Sequence, residues 1–423
     1  MRQNKALAHI LKFYLGSGDF NGILLSTLNA ELKFTQARFT KELTSLIRDQ
    51  KITLVFASHS INPHIKRIAD LSVDEQLAKL ENESPDSCCA YPTEVIVRKA
   101  VDISTYNNRP FTKRILLAEP HLTPVFFDLE VLEKYHRDPR YRFDFQDYGG
   151  SIGITTEHYE SDDVKEKDKI LLETFGIGYD KSQRYRVVVV YLRYLSRLSP
   201  EHQQMWNVHI IDEPCVINSD YERATIWGAW HQYYSAYQAF CHEQVEINKL
   251  AALIGKPPLF RQTFEENRPD GFSSMLRPTK RNFHEFVHIL DKMLSENINH
   301  AFFEGDLSLE EKIVQPDGSV KIQRIGTLQA LETWLSQRYR THDGADLARE
   351  ILEPLRDVRK LRQQPAHGLQ EDEYDRTYPK AQDDLLGRAC RALTSLRLIF
   401  STHPNAKDYE HPEWLDSDRI VFY

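Results

Sequence analysis

Arg356-Asp357-Val358-Arg359-Lys360-Leu361-Arg362-Gln363-Gln364-Pro365-Ala366-His367-Gly368 decides how the C-terminal part of this chain is read. Upstream and within it, Ile351, Leu352, Leu355, Val358 and Leu361 recur at helical spacing, so one face of a helix points into a core. Arg356, Arg359, Lys360 and Arg362 crowd its last turns, where cations favour the negative end of the helix dipole. Pro365 cannot continue a helix and biases Gln364 away from helical geometry, so the helix is expected to end near Gln363. His367 then falls in a turn, a few residues from a guanidinium fixed at the helix end.

Working outward, the segment from about Asn282 is helical in pattern. Phe283, Phe286, Val287, Leu290, Met293 and Leu294 share a face. A Pro316-Asp317-Gly318 turn within Glu311–Arg324 marks an inserted hairpin. Helices are expected at about Thr327–Arg338, Ala345–Gln363 and Asp375–Thr402, which together make a four-helix bundle. The arrangement Arg362-Gln363-Gln364-Pro365-Ala366-His367, at a helix end and followed by another helix, resembles the Arg-x4–6-His signature of the HEPN superfamily of four-helix RNases and nucleotide-binding modules. Other Arg and His pairs at such spacing occur in the chain, as at Arg281 and His288, without that context. The resemblance covers roughly the last 130 residues and departs from catalytic members at Gln363, where Asn, Asp or His is common. It implies a metal-independent endoribonuclease with no cofactor. His367 would move protons, Arg362 would hold phosphate oxygens, and Gln363 would line the site. It also implies a homodimer with a shared site, an inhibitory partner protein, and a role in toxin or antiviral defence systems. Arg359 is a further candidate for contact with RNA. A non-catalytic HEPN-containing nucleic-acid-binding regulator or scaffold stays open beside it; there Arg362 would cap its own helix end.

A competing motif lies on the first bundle helix. His284-Glu285-Phe286-Val287-His288 matches H-E-x-x-H, whose histidines share a helical face for zinc while Glu activates water. The extended form of that motif needs His where Leu294 stands, and His300, Glu304, Glu310 and Glu311 offer no defined third ligand. The expectation is two bundle histidines and no metal.

Composition sets the outer bounds. The chain has 423 residues, is 41% hydrophobic and 27% charged, and carries a net charge of −8. Several ordinary cores can form from it, and no global basic field is present. The cysteines Cys88, Cys89, Cys215, Cys241 and Cys390 are odd in number and contain no C-x2-C pair, which argues against a disulfide framework and a zinc ribbon. No apolar run approaches the ~20 residues that span a bilayer, and the charged N-terminus makes a poor signal peptide. A cytoplasmic protein without membrane contact is expected.

The N-terminal segment, 1–70, reads as three helices and a hairpin. Ala6, Ile10 and Tyr14 mark the first, Leu25, Leu28 and Leu32 the second, and Phe39, Leu43, Leu46 and Ile47 a third from Ala37 to Asp49. Strands are expected at Ile52–Ala57 and Ile61–Ile68. This order resembles a winged helix. The segment holds ten Lys or Arg against five Asp or Glu, about +5 in an acidic chain. Gln36, Arg38, Lys41 and Arg48 are expected on the exposed side of the third helix, which such folds place in a groove of nucleic acid, DNA being a candidate; Lys66 and Arg67 would add hairpin cations, and a protein-docking winged helix with a solvated face stays open beside this reading. Residues 71–93 read as a helix and linker. A mixed α/β domain of unknown role follows at 94–270, with strands at Glu94–Ile103, Phe126–Leu129, Ser151–Thr156 and Arg186–Tyr194 and a long aromatic helix from Tyr221 to Leu253. The bundle occupies 271–405 and a surface tail 406–423. The fold class expected is α+β.

Overall fold

The computed structural model describes residues 4–67, 71–182, 185–229, 233–266, 268–314, 320–339, 347–363 and 371–423. The protein mixes α and β structure and ends in a helical region. It divides into two compact units, 1–221 and 222–423, so residues 222–270 belong to the second unit and not to a middle domain ending near 270.

In the first unit, α1 (Lys5–Gly16) starts at Asn4, whose side chain accepts from the Ala6 and Leu7 amides at 3.0 and 3.2 Å. It buries Ala6, Ile10 and Tyr14. There follow β1 (Ile23–Leu24), α2 (Leu25–Leu32), α3 (Gln36–Arg48) and β2 (Ile52–Phe56). Lys33 adopts a left-handed φ of 53° that ends α2 and turns the chain toward α3. The next expectations need correcting. Residues 61–67 are bends and turns without a strand, and in the segment read as a helix and linker the helix α4 (Val73–Asn82) is followed by a strand, β3 (Cys88–Pro92), where linker was expected. β3 is the central strand of a three-stranded sheet ordered β1-β3-β2, antiparallel to both neighbours, with Leu24 opposite Cys89 and Val55 opposite Cys89 on the other side. Cys88 and Cys89 are core residues, and burial pushes the Cys89 thiol up to about 12. Ser72 and Glu75 form a reciprocal cap at the start of α4.

The rest of the unit is built on a second sheet. α5 (Glu94–Ala100) replaces the strand expected at 94–103: Thr93 stands at its N-cap position and Glu94 in its first turn, and local β propensity at Val95, Ile96 and Val97 gives way. After α6 (Pro110–Leu116) come β4 (Pro124–Phe127), α7 (Glu133–His136), β5 (Tyr141–Gln146), β6 (Gly149–Ile154), α8 (Thr156–Glu160), β7 (Leu171–Asp180), β8 (Arg186–Tyr191), α9 (Leu192–Leu195), α10 (Pro200–Asn207) and β9 (Cys215–Ile217). The strands are antiparallel, ordered β4-β8-β7-β6-β5 with β9 on β7. Glycines line β6 and β7 because neighbours sit on them: a Cβ at Gly176 would lie 2.2 Å from the Tyr221 ring, and one at Gly150 would lie 1.9 Å from the Asp144 carbonyl oxygen.

α11 (Ser219–Trp227) contains the division between the units. The long helix expected from Tyr221 does not form, since Gly228 takes a φ of +60° after α11. The second unit continues with β10 (Tyr234–Ser235), α12 (Ala236–Leu253), α13 (Lys280–Met293), the hairpin β11 (Glu310–Val314) and β12 (Val320–Arg324), α14 (Thr327–Arg338), α15 (Leu347–Gln363), α16 (Tyr378–Ser401) and β13 (Ile420–Val421). Phe240, Phe286, Leu290, Trp334, Leu352, Leu355, Leu393 and Phe400 form its core. α12 belongs to this core and packs along α16, where buried Arg397 donates to buried Glu243 at 2.8 Å. The tail is also structural: β13 pairs in parallel with β10, and Tyr423 is buried. Among the described residues no helix is long and apolar enough to cross a membrane.

Candidate functional site

Two places carry the side chains singled out in the sequence. The first is the end of α15. Apolar Leu355 and Val358 bury its inner face, and this orientation aims Arg362 at α13. Its Nη1 donates to Asp291 Oδ2 at 2.5 Å and also to Glu296 Oε1. Asp291 is fully buried, and its other oxygen accepts from Ser295 Oγ. The two carboxylates hold the Arg362 guanidinium above its ordinary range, Asp291 contributing most, and Arg362 in turn holds the Glu296 carboxyl low. Arg362 is therefore not a helix-end cation turned to solvent. It ties α15 to α13, with 29% of its side chain exposed.

Gln363 beside it is exposed, while His367 lies outside the described residues. Arg356 is committed to Glu332, and Asp357 accepts from Arg388 at 2.7 Å. Arg359 has no carboxylate partner among the described residues. Asp291 and Glu296 are the residues of this place that sequence reasoning missed. Nothing local marks them, because the pairing spans 71 positions. On α13, burial pushes the His284 imidazole down, with the Lys280 charge adding to the effect. Among the described residues no three metal-ligand side chains gather around His284 and His288 or elsewhere.

The second place is α3. Phe39, Leu43, Leu46 and Ile47 are buried, so the opposite face is fixed outward. A shallow depression of about 640 Å³ runs along that face, lined by Ala37, Thr40, Lys41, Thr44, Ser45, Arg48 and Asp49. Lys41 and Arg48, expected from the sequence, stand in it together. Arg38 flanks it, its guanidinium 4.0 Å above the Phe34 ring. Two acids lie nearby: Glu42 accepts from the neutral Asn4 amide at 2.7 Å and keeps its charge, and Asp49, in the depression just past the helix, pairs with Lys51 at 2.8 Å. Arg38, Lys41 and Arg48 have no carboxylate partner among the described residues, so the face is positive in an acidic chain. Lys66 does not join them; it is buried and donates to the Ala118 carbonyl at 3.1 Å. The hydroxyls of Thr40, Thr44 and Ser45 were readable from the same helical spacing that exposes Lys41.

Compared with protein-family models, curated proteins and solved structures, the chain matches none of them.

Proposed function

We propose that this is a nucleic-acid-binding protein that docks on a duplex through α3. The observation that carries the reading is the exposed face of α3, where Lys41 and Arg48 flank hydroxyl side chains and Asp49, at the end of the depression, is paired with Lys51. The order α1-β1-α2-α3-β2-α4-β3, with β3 between β1 and β2, supports a winged-helix-like arrangement that carries an extra helix, α4, between its last two strands; in winged helices the third helix enters a groove. Charge complementarity supports a phosphate backbone as the partner, because cations and hydroxyls are the side chains that meet it. The test is fluorescence anisotropy of the full chain with a labelled duplex. Replacing Lys41 and Arg48 together by alanine is expected to weaken binding by about tenfold or more, because fewer phosphates are neutralised and fewer counterions are released. An unchanged affinity would refute the reading.

A second reading, metal-independent endoribonuclease of HEPN type, is favoured by the fixed geometry of Arg362. Both carboxylates take their bonds from Nη1, so the Nη2 side of a rigidly oriented fork is the part that could meet a phosphate. His367 would be the proton-transfer group and Gln363 a polar neighbour, in a site completed by a second copy. The buried Asp291 carboxylate counts against a phosphate at the same guanidinium. His367→Ala abolishing cleavage of RNA in the presence of chelator, with 2′,3′-cyclic phosphate ends, would support this reading. A chain that cleaves no RNA, or whose cleavage survives His367→Ala, would refute it.

A further inference from the structure

The six-stranded sheet of the first unit treats its two ends differently. At one end, β4 is covered by residues 209–211: Phe127 bridges Ile210, and the Ile211 amide donates to the Phe126 carbonyl at 2.9 Å. At the other end, β5 pairs with β6, and among the described residues no strand lies on its outer side. An uncovered edge is a template for a further strand, and natural sheets blunt such edges with proline, lysine or a bulge. Tyr141-Arg142-Phe143-Asp144-Phe145-Gln146 contains neither residue, and its register with β6 is unbroken. That register also fixes which backbone groups face outward. The Thr155 amide donates to the Arg140 carbonyl at 2.9 Å, one step beyond the ladder. Hydrogen-bonded and non-bonded pairs alternate along an antiparallel ladder. Arg142 and Asp144 therefore bond to β6, and Tyr141, Phe143 and Phe145 turn their N–H and C=O groups away from it. The Tyr141 amide is taken by the Asp138 carbonyl at 3.0 Å.

We propose that two copies of this chain associate through β5, antiparallel about a two-fold axis at Phe143. The occupant follows from the residues of the strand. Phe143 and Phe145 share one face and stack on Phe175 at 5.9 and 5.8 Å. Arg142 and Asp144 form an ion pair at 2.9 Å on the other face, with 71% and 53% of their side chains exposed. A two-fold at Phe143 makes this residue and its twin a hydrogen-bonded pair. It sets Tyr141 opposite the partner's Phe145 and Arg142 opposite the partner's Asp144. The last is a non-bonded pair, where side chains approach most closely, and opposite charges there are favourable. Since only the outward groups can bond, the neighbouring registers are displaced by two residues. One of them sets Arg142 against the partner's Arg142, the other Asp144 against the partner's Asp144. Like charges oppose in both, so charge selects the central register and a second copy as its occupant. This interface belongs to the first unit and does not rest on either functional reading.

The experiment is sedimentation equilibrium of the full chain at low salt. One short strand pair buries less surface than a standard interface, so a dissociation constant on the order of tens of micromolar is expected, read over a range of about 2–500 µM. Arg142→Asp and Asp144→Arg are each expected to weaken association by about tenfold or more, because two symmetry-related pairs turn from opposite to like charge. An equimolar mixture of the two variants is expected to associate about as tightly as the unchanged chain, since every introduced charge then faces its opposite across the two-fold. Both positions are exposed, so the thermal unfolding midpoint should hold, and recovery in the mixture requires folded chains. A chain that stays monomeric across the whole range would overturn the proposal. A dimer that both charge variants leave intact would overturn it equally, by placing the contact elsewhere. Loss in the single variants without recovery in the mixture would overturn the pairing of Arg142 with the partner's Asp144.

Discussion

Arg362 shows how a residue chosen for chemistry acquires a structural duty. With Asp291 fully buried, removing the guanidinium leaves a carboxylate with Ser295 as its remaining hydrogen-bond partner. Arg362→Ala is expected to cost about 2–3 kcal/mol, below the figure for a fully buried pair because Arg362 is partly exposed; urea unfolding checks it. A helix-end cation in water would have cost about 1 kcal/mol or less, so a fall in activity in this variant would not by itself identify a catalytic group. Arg362→Lys, which keeps charge but not the fork, is the more informative replacement. His202 makes the second residue-scale prediction. It is 1% exposed; the Tyr135 hydroxyl accepts from Trp206 at 2.9 Å and is hydrogen-bonded with His202 Nδ1 at 2.6 Å. Burial pushes its pKa down to about 4. The unfolded chain therefore binds this proton first, and stability is complete above about pH 6.5 and lost progressively as pH falls toward 4. His202→Asn, which keeps an acceptor but cannot titrate, is expected to shrink the difference between unfolding midpoints at pH 7 and pH 5. An undiminished difference would show that other groups dominate.

At the scale of elements, α4 explains how an exposed sheet edge is closed. β2 is the outer strand of its sheet, and the Leu54 amide on it donates to Gln76 Oε1 at 2.9 Å while Gln76 Nε2 donates to the Leu71 carbonyl at 2.7 Å. Gln76→Ala would leave a buried amide unsatisfied and is expected to destabilise by about 1–3 kcal/mol; faster hydrogen exchange at Leu54 would accompany it. Sheet packing gives a larger effect at Gly150, where a Cβ meets the Asp144 backbone and not a movable side chain. Gly150→Ala is expected to cost about 2 kcal/mol or more. These elements also show what the sequence made legible. α1, α3, α13 and α15 follow from apolar residues spaced at 3–4, because that spacing is local. β3 did not show, since Cys88-Cys89-Ala90-Tyr91-Pro92 lacks β-branched residues and its partner lies across α4. Val95-Ile96-Val97 has the opposite character, strand-like in composition yet helical. Lys41 and Arg48 were found because exposure is the complement of the buried stripe. Asp291 and Glu296 were not, because ion pairs between helices are set by tertiary packing.

For the whole molecule, the proposed docking on nucleic acid falls to the first unit, and the helical unit keeps a locked arginine at the end of α15. A protein with net charge −8 binds a polyanion only through a local positive surface, and such binding must weaken with salt. The most direct measurement is the affinity of the full chain for duplex DNA as salt is raised. Two neutralised phosphates, at Lys41 and Arg48, predict a slope of log affinity against log salt of about −1.8, with Lys41→Ala reducing it by about 0.9. Binding with no salt dependence, or a slope that the Lys41→Ala change leaves untouched, would contradict docking through α3.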